Sequence, residues 1–297
     1  MPDWSALLKQ HEHRPYPLPD RPWRMTMSWL DLLFAHWSFP PEVIRALLPP
    51  NLTLDTFEGR AWVGVVPFRM ENVGPPGLNW LPGVSAFPEL NVRTYVVHEG
   101  KPGVWFFSLD AASMLAVQAA RLGFHLPYFY AHMRCEEREG WIHYESERDH
   151  TGVQSGSFVG RYRPPPPPWP RALPPPPRGR APRGPAPGAR GRAAAPRGPR
   201  APPRGPPRPP GRPVGEVYHS APGTLEAWLT ERYCLYAANR KGQIRRGEIH
   251  HVQWPLQRAE AETQTCTVTQ AWGIELVGQP ETLHFVKRLD VVAWLLE

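Results

Sequence analysis

The sequence predicts a β-rich α+β fold: an antiparallel, strongly curved, barrel-like core with a few short flanking helices. Three observations carry this. Outside one proline block the chain is rich in Trp, Phe, Tyr and Val, side chains that suit a pleated, half-buried surface. Several runs alternate apolar and polar residues with period two. Glycine and proline clusters separate those runs at short intervals. Many antiparallel strands with few helices bury their apolar faces by curving or closing on themselves.

Composition divides the 297 residues unevenly. The stretch 164–213 holds 22 of the 41 prolines and 11 arginines, with no Asp, Glu or Lys. Without it, Lys+Arg falls from 34 to 23 against 27 Asp+Glu, so the net charge moves from +7 to −4. The basic balance belongs to this block, and charge gives no reason to expect nucleic acid on the folded part. Such a block cannot bury enough apolar area to fold and favours extended polyproline II. Its readings are an interaction segment, as a ligand for proline-reading modules or an arginine-rich arm that binds nucleic acid, a tolerated insertion, or a translated G/C-only stretch. Ordered motifs resume at Gly215, so 25–163 and 214–297 read as one domain interrupted by an insert, with 1–24 as an arm. Cys135, Cys234 and Cys266 are far apart and odd in number, as free thiols in a reducing compartment would be. With no apolar leader and no run of membrane-spanning length, the expectation is a cytoplasmic protein with no membrane contact. Nothing specifies its oligomeric state.

In chain order, residues 1–24 read as a short helix or irregular arm with an extended lead-in. Residues 25–39 form a buried strand ended by Pro40-Pro41, and Pro41 opens a helix over 42–48. Residues 52–57 and 61–70 read as a hairpin about Glu58-Gly59. A loop fills 74–83. The strand 88–97 puts Leu90, Val92, Thr94 and Val96 on one face, and Asn91, Arg93, Tyr95 and Val97 on the other. A turn at 98–103 leads to a strand over 104–110. Asp110 is then placed to cap a helix over 111–122, stopped by Gly123. Residues 128–137 and 140–148 make a hairpin with one wet face, and 157–163 add a strand. Thr224 caps a helix running to about Tyr233, and 248–254, 259–269 and 284–296 are three closing strands.

Chemistry points to few residues. Arg93 sits among apolar neighbours on a core strand, where an arginine must find a carboxylate or line a wet cavity. With Asn91, and with Asp110 at the next corner, it frames a polar site, although Asp110 also serves as a simple cap. Glu231-Arg232 reads as a helix-end charge pair, or as a pair of which one member enters a pocket beside Arg93. His250 and His251 are adjacent on a strand and point to opposite faces. They cannot share an ion, and no HxH or HExxH spacing occurs, so no metal is expected. One is expected to pack or hydrogen-bond and the other to face a cavity. The catalytic candidates are therefore Arg93, Asp110, Glu231, Arg232, His250 and His251. No GxGxxG, GxxxxGK[ST] or GxSxG occurs, and no cofactor is expected.

Several ordered segments carry a family likeness: Leu33-Phe-Ala-His-Trp37, Trp62-Val-Gly-Val-Val-Pro-Phe68, Phe87-Pro-Glu-Leu-Asn-Val-Arg-Thr-Tyr95, Val104-Trp-Phe-Phe-Ser-Leu-Asp-Ala111, Leu229-Thr-Glu-Arg-Tyr-Cys-Leu-Tyr236, and Ile249-His-His251 with Trp254-Pro-Leu-Gln257. Together they resemble the YqjF-like family of bacterial proteins, within the acetoacetate decarboxylase-like superfamily. The resemblance implies a barrel-like core around a central cavity. It also implies Schiff-base chemistry on a lysine with a second lysine beside it. Here the lysines are Lys9, Lys101, Lys241 and Lys287, none adjacent to another, and Lys101 falls in a predicted turn. The expected function is a cavity for a small organic molecule, a carboxylic or keto acid held by Arg93 or Arg232, with the reaction unassigned. The alternatives are a non-catalytic binding or sensing protein and an interaction protein acting through the insert.

Overall fold

A computed structural model of the chain describes residues 2–81, 83–165, 215–239 and 241–297. The predicted insert lies outside the described residues except for its first two positions. The chain begins with α1 (Trp4–Leu8), β1 (Met25–Phe39), α2 (Pro41–Arg45), β2 (Thr53–Leu54) and β3 (Ala61–Gly74). Next come β4 (Phe87–His98), β5 (Lys101–Ala111), α3 (Met114–Gly123), β6 (Tyr128–Arg138), β7 (Trp141–Arg148) and β8 (Ser157–Arg163). After the undescribed segment follow α4 (Leu225–Thr230), β9 (Cys234–Ala238), β10 (Ile244–His250), β11 (Gln257–Arg258), β12 (Glu260–Cys266) and β13 (Thr282–Ala293).

The strands form a loose ring rather than a strict barrel. Pairing runs β5–β9–β10–β13–β1–β3–β4, and β4 pairs back onto β5. Two joints are narrow: β5–β9 and β10–β13 each share two residue pairs. The expected antiparallel pairing holds for most of the sheet, but β5 meets both β6 and β9 in parallel. At the β5–β9 joint the backbones approach so closely that a Cβ on Gly103 would sit 2.6 Å from the Cys234 carbonyl oxygen. Only glycine fits there.

Strands β6, β7, β8 and β12 continue from β5 and cover the outside of the ring. Leu33, Val65, Leu90 and Val92 from the ring pack there against Ile142, Tyr144, Phe158 and Tyr162. The Tyr144 hydroxyl donates to the Glu89 carbonyl at 2.7 Å, and the Tyr162 hydroxyl donates to the Asp31 carbonyl at 2.7 Å. The opposite faces of the same strands, with Leu32, Phe34, Val66 and Phe68, form a second core inside the ring with Trp254. β3 is therefore buried along most of its length on both sides, which its nearly unbroken apolar run reflects.

Several expectations are corrected. The strand 104–110 runs on to Ala111, so Asp110 lies within β5 and is not a cap; Ser113 caps α3, accepting from the Ala116 amide. Glu58-Gly59 does turn the chain with positive φ at both residues, but it closes only a Phe57–Arg60 bridge. The 52–57 segment cannot pair with β3, because β1 and β4 already occupy both of its edges; β2 pairs with β4 instead. The helix expected over 42–48 ends at Arg45. Thr224 caps α4 as expected, yet the helix stops at Thr230. The aromatic run beyond it becomes β9, because β5 and β10 supply edges for it. Lys101 opens β5 instead of sitting in the turn, which Glu99 and Gly100 make. The three cysteines are free. No helix among the described residues is long and apolar enough to cross a membrane.

Candidate functional site

A cavity of about 370 Å³ fills the inside of the ring, and all seven ring strands contribute to its wall. Most of that wall is apolar. Thr230, Arg232 and Glu248 are polar members of it, and the longest polar row is one face of β4, where Glu89, Asn91 and Arg93 follow one another at every second residue and all line the cavity. The period of a strand makes this row possible. Their neighbours across the pairing, Val66 and Phe68 on β3 and Leu109 on β5, line it too. Between Val92 and Arg93 the β4–β5 register shifts, so that Phe106 stands opposite Arg93 and Phe107 turns to the outer core. A bulge of this kind re-aims side chains beside a site.

The two ends of the row differ. At the end near α3, Glu89 is 1 % exposed and its Oε2 accepts from the Tyr128 hydroxyl at 2.9 Å. Burial pushes the Glu89 carboxyl up to about 8; the Tyr128 bond opposes this and the charge of Asp110 adds to it. Glu89 therefore carries its proton at neutral pH. At the other end, Arg93 donates from Nη2 to the Leu229 carbonyl at 3.2 Å and to the Tyr95 hydroxyl at 3.3 Å. Its guanidinium lies 5.0 Å from the centre of the Phe34 ring. Among the described residues no carboxylate lies within ion-pair distance of it, and its Nε has no hydrogen-bond partner. His36 Nε2 sits 2.6 Å from the same Tyr95 hydroxyl, and burial and the Arg93 charge keep its pKa well below the usual histidine value. Gly64 leaves the room: a Cβ there would meet His36 Nε2 at 2.9 Å.

Arg232 joins this end from the segment between α4 and β9. Its Nη1 pairs with Asp55 at 2.7 Å and its Nε donates to the Trp228 carbonyl at 2.6 Å, while Nη2 is buried without a partner. Burial lowers its pKa, with Asp55 opposing. Tyr95 lies under both guanidinium groups, 5.6 Å from that of Arg93 and 5.1 Å from that of Arg232. Trp254 meets Phe34 edge-to-face at 4.8 Å and stacks against Trp29 at 5.7 Å, and both indole nitrogens are buried without partners among the described residues. Among the described residues, the cavity-lining side chains thus carry five orphaned polar atoms: Asn91 Oδ1, Arg93 Nε, Arg232 Nη2, Trp29 Nε1 and Trp254 Nε1. Apart from the Asn91 oxygen, all are donors.

Of the six residues singled out from sequence, the structure brings Arg93 and Arg232 to the cavity and places the other four elsewhere. Asp110 points to the opposite face of β5 and forms a bidentate ion pair with Arg148, at 2.8 and 2.9 Å, both side chains fully buried. Burial pushes Asp110 up to about 6 against the pull of Arg148. Glu231 leaves the helix end to accept from the Trp254 amide at 3.0 Å and from the Tyr233 hydroxyl; burial raises its pKa. His250 Nε2 lies 3.1 Å from the Leu7 carbonyl and His251 Nδ1 2.7 Å from the Val252 carbonyl. Neither histidine lines the cavity, so the expectation that one of them faces it is corrected. Burial lowers them to about 4 and about 3. They lie beneath the N-terminal arm, where His13 stacks on His250. No cluster that could hold a metal ion occurs among the described residues.

Sequence reasoning passed over Glu89, although the alternation that places Asn91 and Arg93 together extends to it. Tyr128, His36 and Trp254 reach the site from distant segments and carry no local signal.

Comparison with known proteins agrees with this architecture. A family model, DUF2071, described as an uncharacterized conserved protein, matches residues 26–178 and 205–290. The protein YqjF of Bacillus subtilis (strain 168) is 37 % identical over 290 residues, 98 % of each chain. Among solved structures, acetoacetate decarboxylase from Legionella pneumophila is 12 % identical with a TM-score of 0.50, covering 98 % of this chain and 94 % of that one. The enduracididine biosynthesis enzyme MppR, complexed with the condensation product of pyruvate and imidazole 4-carboxaldehyde, is 10 % identical with a TM-score of 0.50, covering 93 % and 89 %. At those identities the likeness is one of fold alone. The chain belongs to the DUF2071 family, is a relative of YqjF, and has an acetoacetate decarboxylase-like fold.

Proposed function

We propose that the protein binds a small organic acid inside the ring, with Arg93 taking the carboxylate and Arg232 beside it. The observation that carries this reading is Arg93: a buried guanidinium on the cavity wall with no carboxylate partner among the described residues. Leaving such a charge unpaired away from water costs several kcal/mol, and a bound anion removes that cost. The other orphaned donors on the same wall support the same sign of ligand. A ligand acid also agrees with what a fold neighbour holds, a product formed from pyruvate.

A second reading, catalysis, is favoured by Glu89. A carboxyl that keeps its proton near neutral pH and faces the cavity is suited to act as a general acid or base. The lysine Schiff base implied by the superfamily resemblance has no place here, because the cavity wall of the described residues holds no lysine. Lys101 is instead paired with Glu248 at 3.0 Å. Asp110, Glu231, His250 and His251 have no part in this proposal.

The test is a thermal-shift screen of the full chain against carboxylic and keto acids, repeated with Arg93→Met. An acid at a hundred times its dissociation constant adds about 2.7 kcal/mol of stability. A shift that vanishes in the variant is the expected result. A wild-type protein that melts cooperatively and shifts with no acid overturns the proposal.

A further inference from the structure

Polar groups are not spread evenly round the cavity. The orphaned donors of Arg93, Arg232 and Trp254 gather at the α4 end, where Phe34 lies between Arg93 and Trp254. The α3 end is walled by Met70, Val73, Phe87, Ala116, Ala120 and Phe124. Its polar groups, Glu89 and Tyr128, are bonded to each other, and the carboxyl is uncharged at neutral pH. Four residues of strand separate Arg93 from Glu89, about 13 Å along β4. A three- or four-carbon acid held at Arg93 leaves most of the 370 Å³ empty, and its far end does not reach the α3 wall. Outside that wall the surface is also apolar: Leu78, Trp80 and Leu81 in the loop after β3, and Met114, Leu115 and Leu122 on α3, are all exposed. Loop and helix touch, with the Ser113 hydroxyl donating to the Gly83 carbonyl at 3.1 Å.

We infer that the acid is amphipathic: a single carboxylate held at Arg93 with an unbranched or aryl apolar tail lying over the Val66, Phe68 and Leu109 side chains that flank the polar row and ending at the Ala116–Ala120 face of α3. This inference rests on the acid-binding reading above and narrows it from small keto acids to medium-chain carboxylic acids. The two alanines, four residues apart and both on the cavity wall, supply the room for the tail's end.

The experiment is calorimetric titration of the full chain with the straight-chain series from butyrate to decanoate, with acetoacetate and pyruvate, and with decanol as a neutral match. Wild type is compared with Arg93→Met and Ala120→Phe. Each methylene that enters an apolar wall tightens binding about fourfold, so decanoate is expected to bind at least a hundredfold better than butyrate or acetoacetate. Ala120→Phe is expected to weaken decanoate tenfold or more while leaving butyrate unchanged. Decanol on wild type and decanoate on Arg93→Met are each expected to lose at least tenfold. A flat chain-length series, with Arg93→Met still abolishing binding, overturns the amphipathic ligand and leaves the acid site standing. Decanol equal to decanoate, and indifferent to Arg93→Met, overturns the acid site itself. No binding by any member overturns both.

Discussion

Arg93 and Arg148 are buried on opposite faces of the β4–β5 pair, 8 % and 3 % exposed. Arg148 has what a buried guanidinium needs. It grips both oxygens of Asp110, donates to the Ser108 hydroxyl at 3.0 Å, and lies against Phe129 and Trp272 at 5.2 and 5.0 Å. Arg93 has a carbonyl, a tyrosine hydroxyl and a ring, but no countercharge among the described residues. The first clamps the outer layer of β7 onto the ring. The second lines the cavity inside the ring. One residue type, on the two faces of one pair of strands, thus meets two environments, and what separates them is whether a carboxylate of the described residues answers the charge.

The comparison breaks most visibly at Arg148. Arg148→Met leaves Asp110 buried and unpaired, and is expected to lower unfolding free energy by about 3–5 kcal/mol in a denaturant melt. Adding Asp110→Leu should restore most of the loss, since both charges then leave together. A small effect of the single change would mean that the pair is not the clamp described.

Glu89 sharpens the cavity side. The folded protein holds its proton up to about pH 8, whereas an ordinary glutamate releases it at 4.5. The folded-state pKa is raised, so the stability from keeping the proton is full below 4.5 and is lost as pH rises to about 8. Wild type should therefore fall relative to Glu89→Gln by a few kcal/mol between pH 5 and pH 8, read from paired denaturant midpoints. Parallel pH profiles for the two proteins would refute the shift.

Tyr95→Phe removes the hydroxyl shared by Arg93 and His36 and should cost about 1 kcal/mol, with weaker acid binding as the sharper readout. Arg93→Met closes the series with the smallest stability effect. Deleting an unpaired buried charge is expected to leave the melting temperature unchanged or raised, in contrast to Arg148→Met. A loss as large as that of Arg148 would mean that Arg93 is a structural residue after all.

Much of this was legible in the chain. Period-two alternation placed Asn91 and Arg93 on one face of a core strand, and the same rule, carried two residues further back, reaches Glu89. The argument that a core-strand arginine needs a carboxylate or a cavity depends only on burial and charge. Thr224 as a cap and the 128–148 hairpin followed from local chemistry. Asp110 failed as a cap because strand pairing with β4 outweighed a favourable helix-start residue, and its real partner lies 38 residues away. His250 and His251 failed because the arm that covers them comes from the other end of the sequence.

What the sequence by itself determined is the β-rich class, the two-faced strands and the isolation of Arg93 among apolar neighbours, since propensity, period and burial cost are local properties. Only the tertiary structure decided that the ring closes through β4–β5 and β5–β9, that Arg232 and Trp254 join Arg93, and that Asp110 turns its back on the cavity. Those outcomes depend on pairings between segments far apart in the chain, where each edge goes to the strand that buries both partners best, and no local pattern records that competition.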